Sequence, residues 1–297
     1  MTSELDVVIV SYRCQALLHR CLTSVRDHAP SHTAVWVVDN DSRDGTVEML
    51  AESFPSVQTV ENDRNVGFAR ATNAGIRSGG APYILVLNPD TELRAGTLAY
   101  LLATMEQHPE VGVCGCRLER PDGRFDHAAR RAFPTILGAL GHFSGVGQRV
   151  ERGRLAQYRA PAVERGPVDA VNGAFMLFRR SALEEVGLFD EGYWMYMEDL
   201  DVCYRLAQAG WTTWYEPSVT ALHVKGGSAG RRSPRLELAF HAGMWRFYRA
   251  HYACRRSVLV SGAVAVGITF KMLVALARAY SRRFLASRGT EETSSLG

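Results

Sequence analysis

The six cysteines, at positions 14, 21, 114, 116, 203 and 254, include no pair of CxxC units, so the ligand spacing of a structural zinc site is missing. A secretory-type N-terminal segment is missing too, which makes reduced, mostly buried thiols and a cytoplasmic location the expectation. No uninterrupted apolar run reaches the ~20 residues of a spanning helix, and that excludes a polytopic membrane protein. Internal repeats and low-complexity tracts are also lacking, and the overall composition excludes a disordered chain, a collagen-like fibre and a disulfide-rich mini-protein. What is present is ordinary for a folded protein: 297 residues, 46% hydrophobic, 22% charged and 9% aromatic. That length accommodates one large domain or two modest ones.

Charge is unevenly spread. The 34 Lys and Arg nearly balance 31 Asp and Glu over the whole chain, but residues 1–224 carry 21 basic against 28 acidic side chains. Residues 225–283 carry 12 basic ones and a single acid, Glu237. A mildly acidic body with a basic C-terminal segment points that segment at an anionic surface. A phospholipid headgroup layer or a diphosphate satisfies this as well as a nucleic acid would, and no nucleic-acid partner is expected.

The first half alternates short apolar runs with helical patterns. Leu5–Val10, Ala34–Val38, Val57–Val60 and Tyr83–Leu87 read as strands. Between and after them, helical spacing appears at Leu17, Leu18, Cys21, Leu22 and Val25, then over 46–54, 69–78 and 96–107. Continuous apolar strands alternating with helices predict an α/β fold, a mostly parallel sheet with helices on both faces. Ligands bind such sheets at the carboxyl ends of the strands. Further strands are expected over 111–118, Val168–Phe178 and Trp211–Leu222, with helices from Ser181 and from near Asp199. Residues 119–166 read as loops with short helical pieces. The expected division is a catalytic domain over 1–233 and, over 234–297, basic amphipathic helices ending in a frayed tail.

Five polar constellations stand out, four of them directly after strands. Val10-Ser11-Tyr12 pairs with the loop from Asp39 to Thr46, where a strand-end carboxylate would accept the imide N–H of a pyrimidine base; the same residues also make turns and helix caps. Asn62 to Asn73 contains Arg64 and Asn65 ahead of a helix, suited to clasp a diphosphate or simply to cap that helix. Leu87-Asn88-Pro89-Asp90 ends the fourth strand, where Asp90 either meets a hard divalent cation or caps the next helix. Tyr193-Trp-Met-Tyr-Met197 precedes Glu198, Asp199 and Asp201, an aromatic wall beside acids that suits sugar binding and a general base, or else an acidic helix start. His223-Val-Lys225-Gly-Gly-Ser228 follows the last strand and suits phosphate contact, though a lone histidine is often structural.

Taken in order over roughly residues 5–228, these motifs resemble family 2 glycosyltransferases of GT-A fold, in the rhamnosyltransferase-like branch. The resemblance implies a Rossmann-like sheet and an inverting transfer of rhamnose or another hexose from a nucleoside-diphosphate donor of UDP or dTDP type. It implies a divalent metal, Mg2+ or Mn2+, and a glycolipid or cell-envelope glycan as acceptor. In that picture Ser11, Tyr12 and Asp39 hold the nucleoside, Arg64, Asn65 and Asn88 line the donor site, and Asp90 and His223 bind the metal. Asp199 is the base, and Trp194 and Glu198 meet the acceptor. Asn88 departs from the common Asp-x-Asp pattern by replacing its first carboxylate.

Three alternatives compete. A processive synthase would bring several membrane spans and a Gln-x-x-Arg-Trp pattern, both lacking here. A nucleotidyltransferase would carry a glycine-rich loop after the first strand, where Ser11-Tyr12-Arg13 has none. A non-catalytic sugar-nucleotide-binding module would have no need of a base such as Asp199. The uncharged run 257–270, interrupted by Lys271 and flanked by Arg255, Arg256, Arg278, Arg282 and Arg283, reads as a helix lying on an anionic membrane. The alternatives are a single span, with Lys271 snorkelling, or a helix packed on the catalytic domain. An enzyme on the inner face of the cell membrane would suit a polyprenyl-diphosphate-linked acceptor.

Overall fold

The computed structural model describes residues 3–134, 165–224 and 233–294, with side chains through 281. The Lys225–Ser228 motif and most of the loop region expected before residue 166 lie outside the described residues.

The first unit begins with β1 (Leu5–Ser11), α1 (Gln15–His28), β2 (Thr33–Asp39), α2 (Thr46–Ser53), β3 (Gln58–Glu61), α3 (Phe68–Ser78) and β4 (Tyr83–Leu87). Every residue of β1 is buried, as a strand covered on both faces requires. Each Val, Ile or Leu so buried contributes roughly 1.5–3 kcal/mol. Helix α3 lies close on the sheet because position 75 is glycine: a Cβ there would stand 2.5 Å from a Val8 methyl and 3.1 Å from one of Val38.

Then follow β5 (Thr91–Leu93), α4 (Thr97–Gln107), β6 (Val111–Glu119), β7 (Arg130–Arg131), β8 (Gly166–Pro167), β9 (Ala170–Val171), β10 (Phe175–Arg179), α5 (Arg180–Glu185), α6 (Glu198–Gln208) and β11 (Thr212–His223). One sheet runs β3-β2-β1-β4-β10-β6-β11-β5, with β8 beside β11, while β7 and β9 form a separate antiparallel pair. The pairs β1·β2, β2·β3, β1·β4 and β6·β11 are parallel, whereas β10 runs antiparallel to both β4 and β6. The sheet is therefore mixed and mostly parallel.

Two expectations needed revision. The apolar run 168–178 is broken: Asn172 turns the chain, its Oδ1 accepting from the Ala174 N–H at 2.8 Å, and β9 and β10 join different sheets. Asp90 caps no helix, because β5 follows it and pairs with the end of β11. All six thiols are free, and only Cys254 is exposed.

The second compact unit consists of Tyr193–Met197 together with α7 (Pro234–His251) and α8 (Val258–Ser294). It thus draws five residues from the middle of the chain. Ser233 caps α7, its Oγ accepting from the Leu236 N–H at 3.4 Å, and Pro234 occupies the first helical position, where a missing N–H costs nothing. In α8, the 24-residue stretch Val258–Ser281 is long and apolar enough to cross a membrane, and Val258, Leu259, Val266, Phe270 and Leu273 are exposed on it.

Candidate active site

Register alone gathers the first site residues. Ser11 pairs with Asp39 across β1 and β2, and Ile9 pairs with Leu87 of β4, so Ser11, Asp39 and Asn88 share the carboxyl edge of three parallel strands. Asp39 is 4% exposed; its Oδ2 accepts the Ser42 N–H at 2.9 Å, while Oδ1 is buried without a hydrogen-bond partner. Buried carboxylate oxygens are rarely left so, and this one is available to an N–H donor from a ligand. Ser11 is buried with its hydroxyl 3.5 Å from the Cys14 thiol, and Tyr12 lies half-buried under the Arg13 guanidinium.

The Asn62–Gly67 loop is tied to this edge. Asn62 donates to Asn40 Oδ1 at 2.9 Å, Asn40 donates to the Gly67 carbonyl at 3.3 Å, and Asn65 Oδ1 takes the Gly67 N–H at 3.0 Å. Asn65 is therefore spent on loop shape, while the Arg64 side chain is exposed.

On the other side of β4, the Asn88 N–H donates to the Ala174 carbonyl at 3.0 Å. The neighbouring Gly173 N–H donates to Asp199 Oδ2 at 2.9 Å, which brings the start of α6 to the same edge. Arg131, at the end of β7, places its guanidinium on that same carboxylate oxygen. Asp199 accordingly sits as an ion-paired acceptor, 7% exposed. Beside it, Glu198 is buried, with Oε2 lacking a partner. Burial, reinforced by the Asp199 charge, pushes the Glu198 carboxyl up to about 8, so it carries a proton at neutral pH. Asp201 binds Arg205 at 2.7 Å, and Arg205 in turn clasps the carbonyl of Leu188 at 2.8 Å.

The third group forms where β5 and β11 meet. Thr91 pairs with His223, and the Val224 N–H donates to the Asp90 carbonyl at 2.8 Å. His223 lies between two acids, Nε2 at 3.6 Å from Asp90 Oδ1 and Nδ1 at 3.3 Å from Asp126 Oδ2. Burial pulls an imidazolium down, yet the hydrogen bonds to Asp126 and Asp90 outweigh it and raise His223 to about 9. Asp126, fully buried, is the member that sequence reading missed; it lies in a weakly patterned loop, with no motif to mark it. Among the described residues, no group of three or more His, Cys, Asp and Glu is arranged to hold a metal. Asp90 and His223 offer two donors, one carboxylate oxygen and one imidazole nitrogen.

Ser11, Asp39, Asn88, Asp90, Asp199 and His223 thus all belong to the first unit, linked by strand register and hydrogen bonds. Trp194 belongs to the second, with the Arg235 guanidinium 4.2 Å over its ring.

A family model described as "Glycosyl transferase family 2" matches residues 6–187. The chain belongs to that family. This glycosyltransferase is 35% identical over 254 residues, 81% of its length and 82% of the relative's, to an N-acetylglucosaminyl-diphospho-decaprenol L-rhamnosyltransferase of Mycobacterium tuberculosis. It is 30% identical over 141 residues, 48% of its length and 52% of the relative's, to the rhamnosyltransferase WbbL of Escherichia coli. Among solved structures it resembles GalNAc-T7 with UDP, GalNAc and Mn2+, with a TM-score of 0.61 and 16% identity, over 85% of this chain and 48% of that one. It also resembles the Pyrobaculum calidifontis mannosyltransferase PcManGT in complex with GDP-Man and Mn2+, with a TM-score of 0.58 and 19% identity, over 98% and 80%. The glycosyltransferase therefore has the GT-A fold that its motifs implied.

Proposed function

We propose that this glycosyltransferase moves rhamnose or another hexose, with inversion, from a UDP- or dTDP-type donor to a polyprenyl-diphosphate-linked glycolipid. The observation that carries the reading is Asp199: an ion-paired carboxylate, hydrogen-bonded to the loop that also binds Asn88, at the edge where Asp39 keeps a buried oxygen unpartnered. The mycobacterial relative's name, with its diphospho-decaprenol acceptor, supports the acceptor class.

In this reading Asp39 Oδ1 accepts the imide N–H of the base, and Ser11 and Tyr12 close around the nucleoside. Asp90 and His223 would hold a divalent cation, through one carboxylate oxygen and one imidazole nitrogen. When bound, that metal supplies charge to offset the departing diphosphate. Asn88, being neutral, contributes hydrogen bonding there rather than charge. Asp126 holds Nδ1 of His223 and so turns Nε2 toward Asp90, the arrangement that orients a ligating histidine.

The acceptor hydroxyl attacks the anomeric carbon on the face opposite the diphosphate. As the new C–O bond forms and the bond to the diphosphate breaks, Asp199 takes the hydroxyl proton. Arg131 and the Gly173 N–H hold that carboxylate in position. Glu198, protonated at neutral pH, donates a hydrogen bond from its free side to a sugar hydroxyl. One carboxylate base suffices for inversion, whereas a double-displacement route would need a second as nucleophile. Arg64, exposed beside the nucleoside edge, would meet the diphosphate. The basic C-terminal helices rest on anionic lipid at the inner face of the membrane and bring the enzyme to its acceptor.

The test is a panel of nucleotide sugars with Mg2+ or Mn2+, with nucleoside diphosphate release followed in the presence and absence of lipid-linked acceptors. Release that depends on a polyprenyl-diphosphate acceptor is expected, and Asp199→Asn abolishes it while donor binding survives. Acceptor-independent release alone, or full transfer by the Asn variant, overturns the reading.

A further inference from the structure

Two residues immediately before α6 have a backbone conformation that L side chains rarely adopt: Tyr196 at φ 70° and Met197 at φ 74°. A bulky residue there is uncommon and two in succession more so. Such a turn persists only where its surroundings over-determine it, and these segments gather at functional sites. The next residues along the chain are Glu198 and Asp199, in the first turn of α6. First-turn residues have N–H groups with no partner inside the helix, so fewer internal bonds hold them than hold residues further along.

What fixes the turn is α7. The Tyr196 ring meets Phe240 edge-on, with centroids 6.0 Å apart and planes at 81°. Met197 is 4% exposed. Gly243 is buried in the middle of α7, where glycine is the poorest helix former after proline. Close approach accounts for it: a Cβ at 243 would lie 3.0 Å from the Tyr196 carbonyl oxygen and 3.2 Å from Met197 Cγ. The rest of the segment is gripped by the same helix, Trp194 under Arg235 at 4.2 Å and Tyr193 under Arg246 at 5.3 Å. Helix α7 is in turn fastened to α8 through Tyr248 Oη and Ser261 Oγ, 3.0 Å apart.

We propose that Phe240 and Gly243 are positioning residues for the transfer step: α7 holds the Tyr196–Met197 turn in its rare conformation, and the turn sets the approach of Glu198 and Asp199. The C-terminal helices then serve as a brace for the base as well as a membrane contact. This rests on the reading of Asp199 as the base.

The experiment compares Gly243→Ala, Phe240→Ala, Phe240→Tyr and Asp199→Asn in the full-length enzyme, measuring kcat, both KM values, nucleoside-diphosphate affinity and melting temperature. Gly243→Ala and Phe240→Ala are expected to lower kcat by about tenfold to a hundredfold, as sub-ångström misplacement of a reacting group does. Nucleoside-diphosphate affinity stays within about twofold, and Phe240→Tyr, which keeps the ring, returns kcat to near the parent value. Alanine for glycine inside a helix does not by itself weaken it, so a lower kcat without a lower melting temperature marks positioning. Should Gly243→Ala fail to fold, the Phe240 pair decides alone. The proposal is overturned if kcat in the folded variants is unchanged, if donor affinity falls in step with kcat, or if Phe240→Tyr is as impaired as Phe240→Ala. Asp199→Asn separates the two ideas. Full transfer in that variant removes the base reading itself, whereas an inactive Asn variant beside fully active Gly243 and Phe240 variants removes the brace alone.

Discussion

Arg131 and Asp199 are ion-paired across 68 positions of sequence, the guanidinium meeting the same Oδ2 that takes the Gly173 N–H. Both side chains are largely buried, at 18% and 10% exposure. Removing one member of such a pair leaves an uncompensated buried charge, costing about 3 kcal/mol. Arg131→Ala is therefore expected to lower stability by that order and transfer by more than donor binding. In an Asp199→Asn background the same change costs much less, and the difference, read by denaturant titration of all four proteins, is the coupling between the two residues. Additive losses would mean that the pair does not act as a unit.

Glu198 makes stability depend on pH. Its carboxyl is raised from 4.5 to about 8, so the folded protein keeps a proton that the unfolded chain releases. The sign follows: this contribution is fully present below about pH 4.5 and is lost as pH rises through about 8. Glu198→Gln has no proton to lose. Urea titrations between pH 5 and 9 should show a flatter stability profile for the Gln variant and a gain over the parent at the alkaline end. An unchanged profile would place the Glu198 proton elsewhere.

Strand and helix periodicity made β1, β4 and the neighbouring helices legible in the sequence, because strands buried on both faces are almost purely apolar; the exposed edge strand β3 gives only a short, weaker run. The antiparallel sense of β10 was not legible, since direction is set by the path of the intervening chain and not by its composition. Asp39, Asp90 and Asp199 stand out in the sequence because each follows a predicted strand or opens a predicted helix. Asp126 and Arg131 carry no such signal: their importance comes from facing His223 and Asp199 at long sequence separation. The brace on Tyr196 was hidden for the same reason, being a contact between residues more than forty positions apart.

The orphan oxygen of Asp39 makes a prediction about the base. An amide at this position would offer an N–H where the imide also presents one, replacing attraction with a clash of donors. Asp39→Asn should weaken nucleoside-diphosphate binding about tenfold to a hundredfold, the worth of a hydrogen bond to a charged group. Calorimetry with UDP and dTDP measures it. Equal affinity in parent and variant would mean that the imide edge is read by another residue.

His223, raised to about 9, holds a proton at pH 7 that a ligated metal must expel. Mn2+ affinity, titrated by electron paramagnetic resonance on the free enzyme, should therefore climb between pH 7 and 9 by up to about tenfold per unit. Asp126→Asn removes one of the two acids that keep the proton on, so the climb begins at lower pH. It also loosens the ring, costing about tenfold in limiting Mn2+ affinity, as loss of an orienting partner does. A pH-independent affinity would take His223 out of the ligand set.

The exposed apolar side of α8 sets the last expectation. Val266 is 71% and Phe270 65% exposed, and Arg255, Arg256 and Arg278 stand toward the two ends of the stretch. Apolar burial and arginine–headgroup attraction add, the latter about 1 kcal/mol for each residue near the surface. The enzyme should float with vesicles containing anionic lipid and bind neutral vesicles more weakly, with the difference shrinking at high salt. Val266→Asp with Phe270→Asp puts charge into the lipid-facing layer, so flotation should fail even on anionic vesicles. Transfer to a short-chain, water-soluble acceptor continues in that double variant, while transfer to a long-chain acceptor in vesicles drops. If the variant still floats, or if truncation after Tyr252 leaves vesicle binding intact, the contact with lipid lies elsewhere on the enzyme.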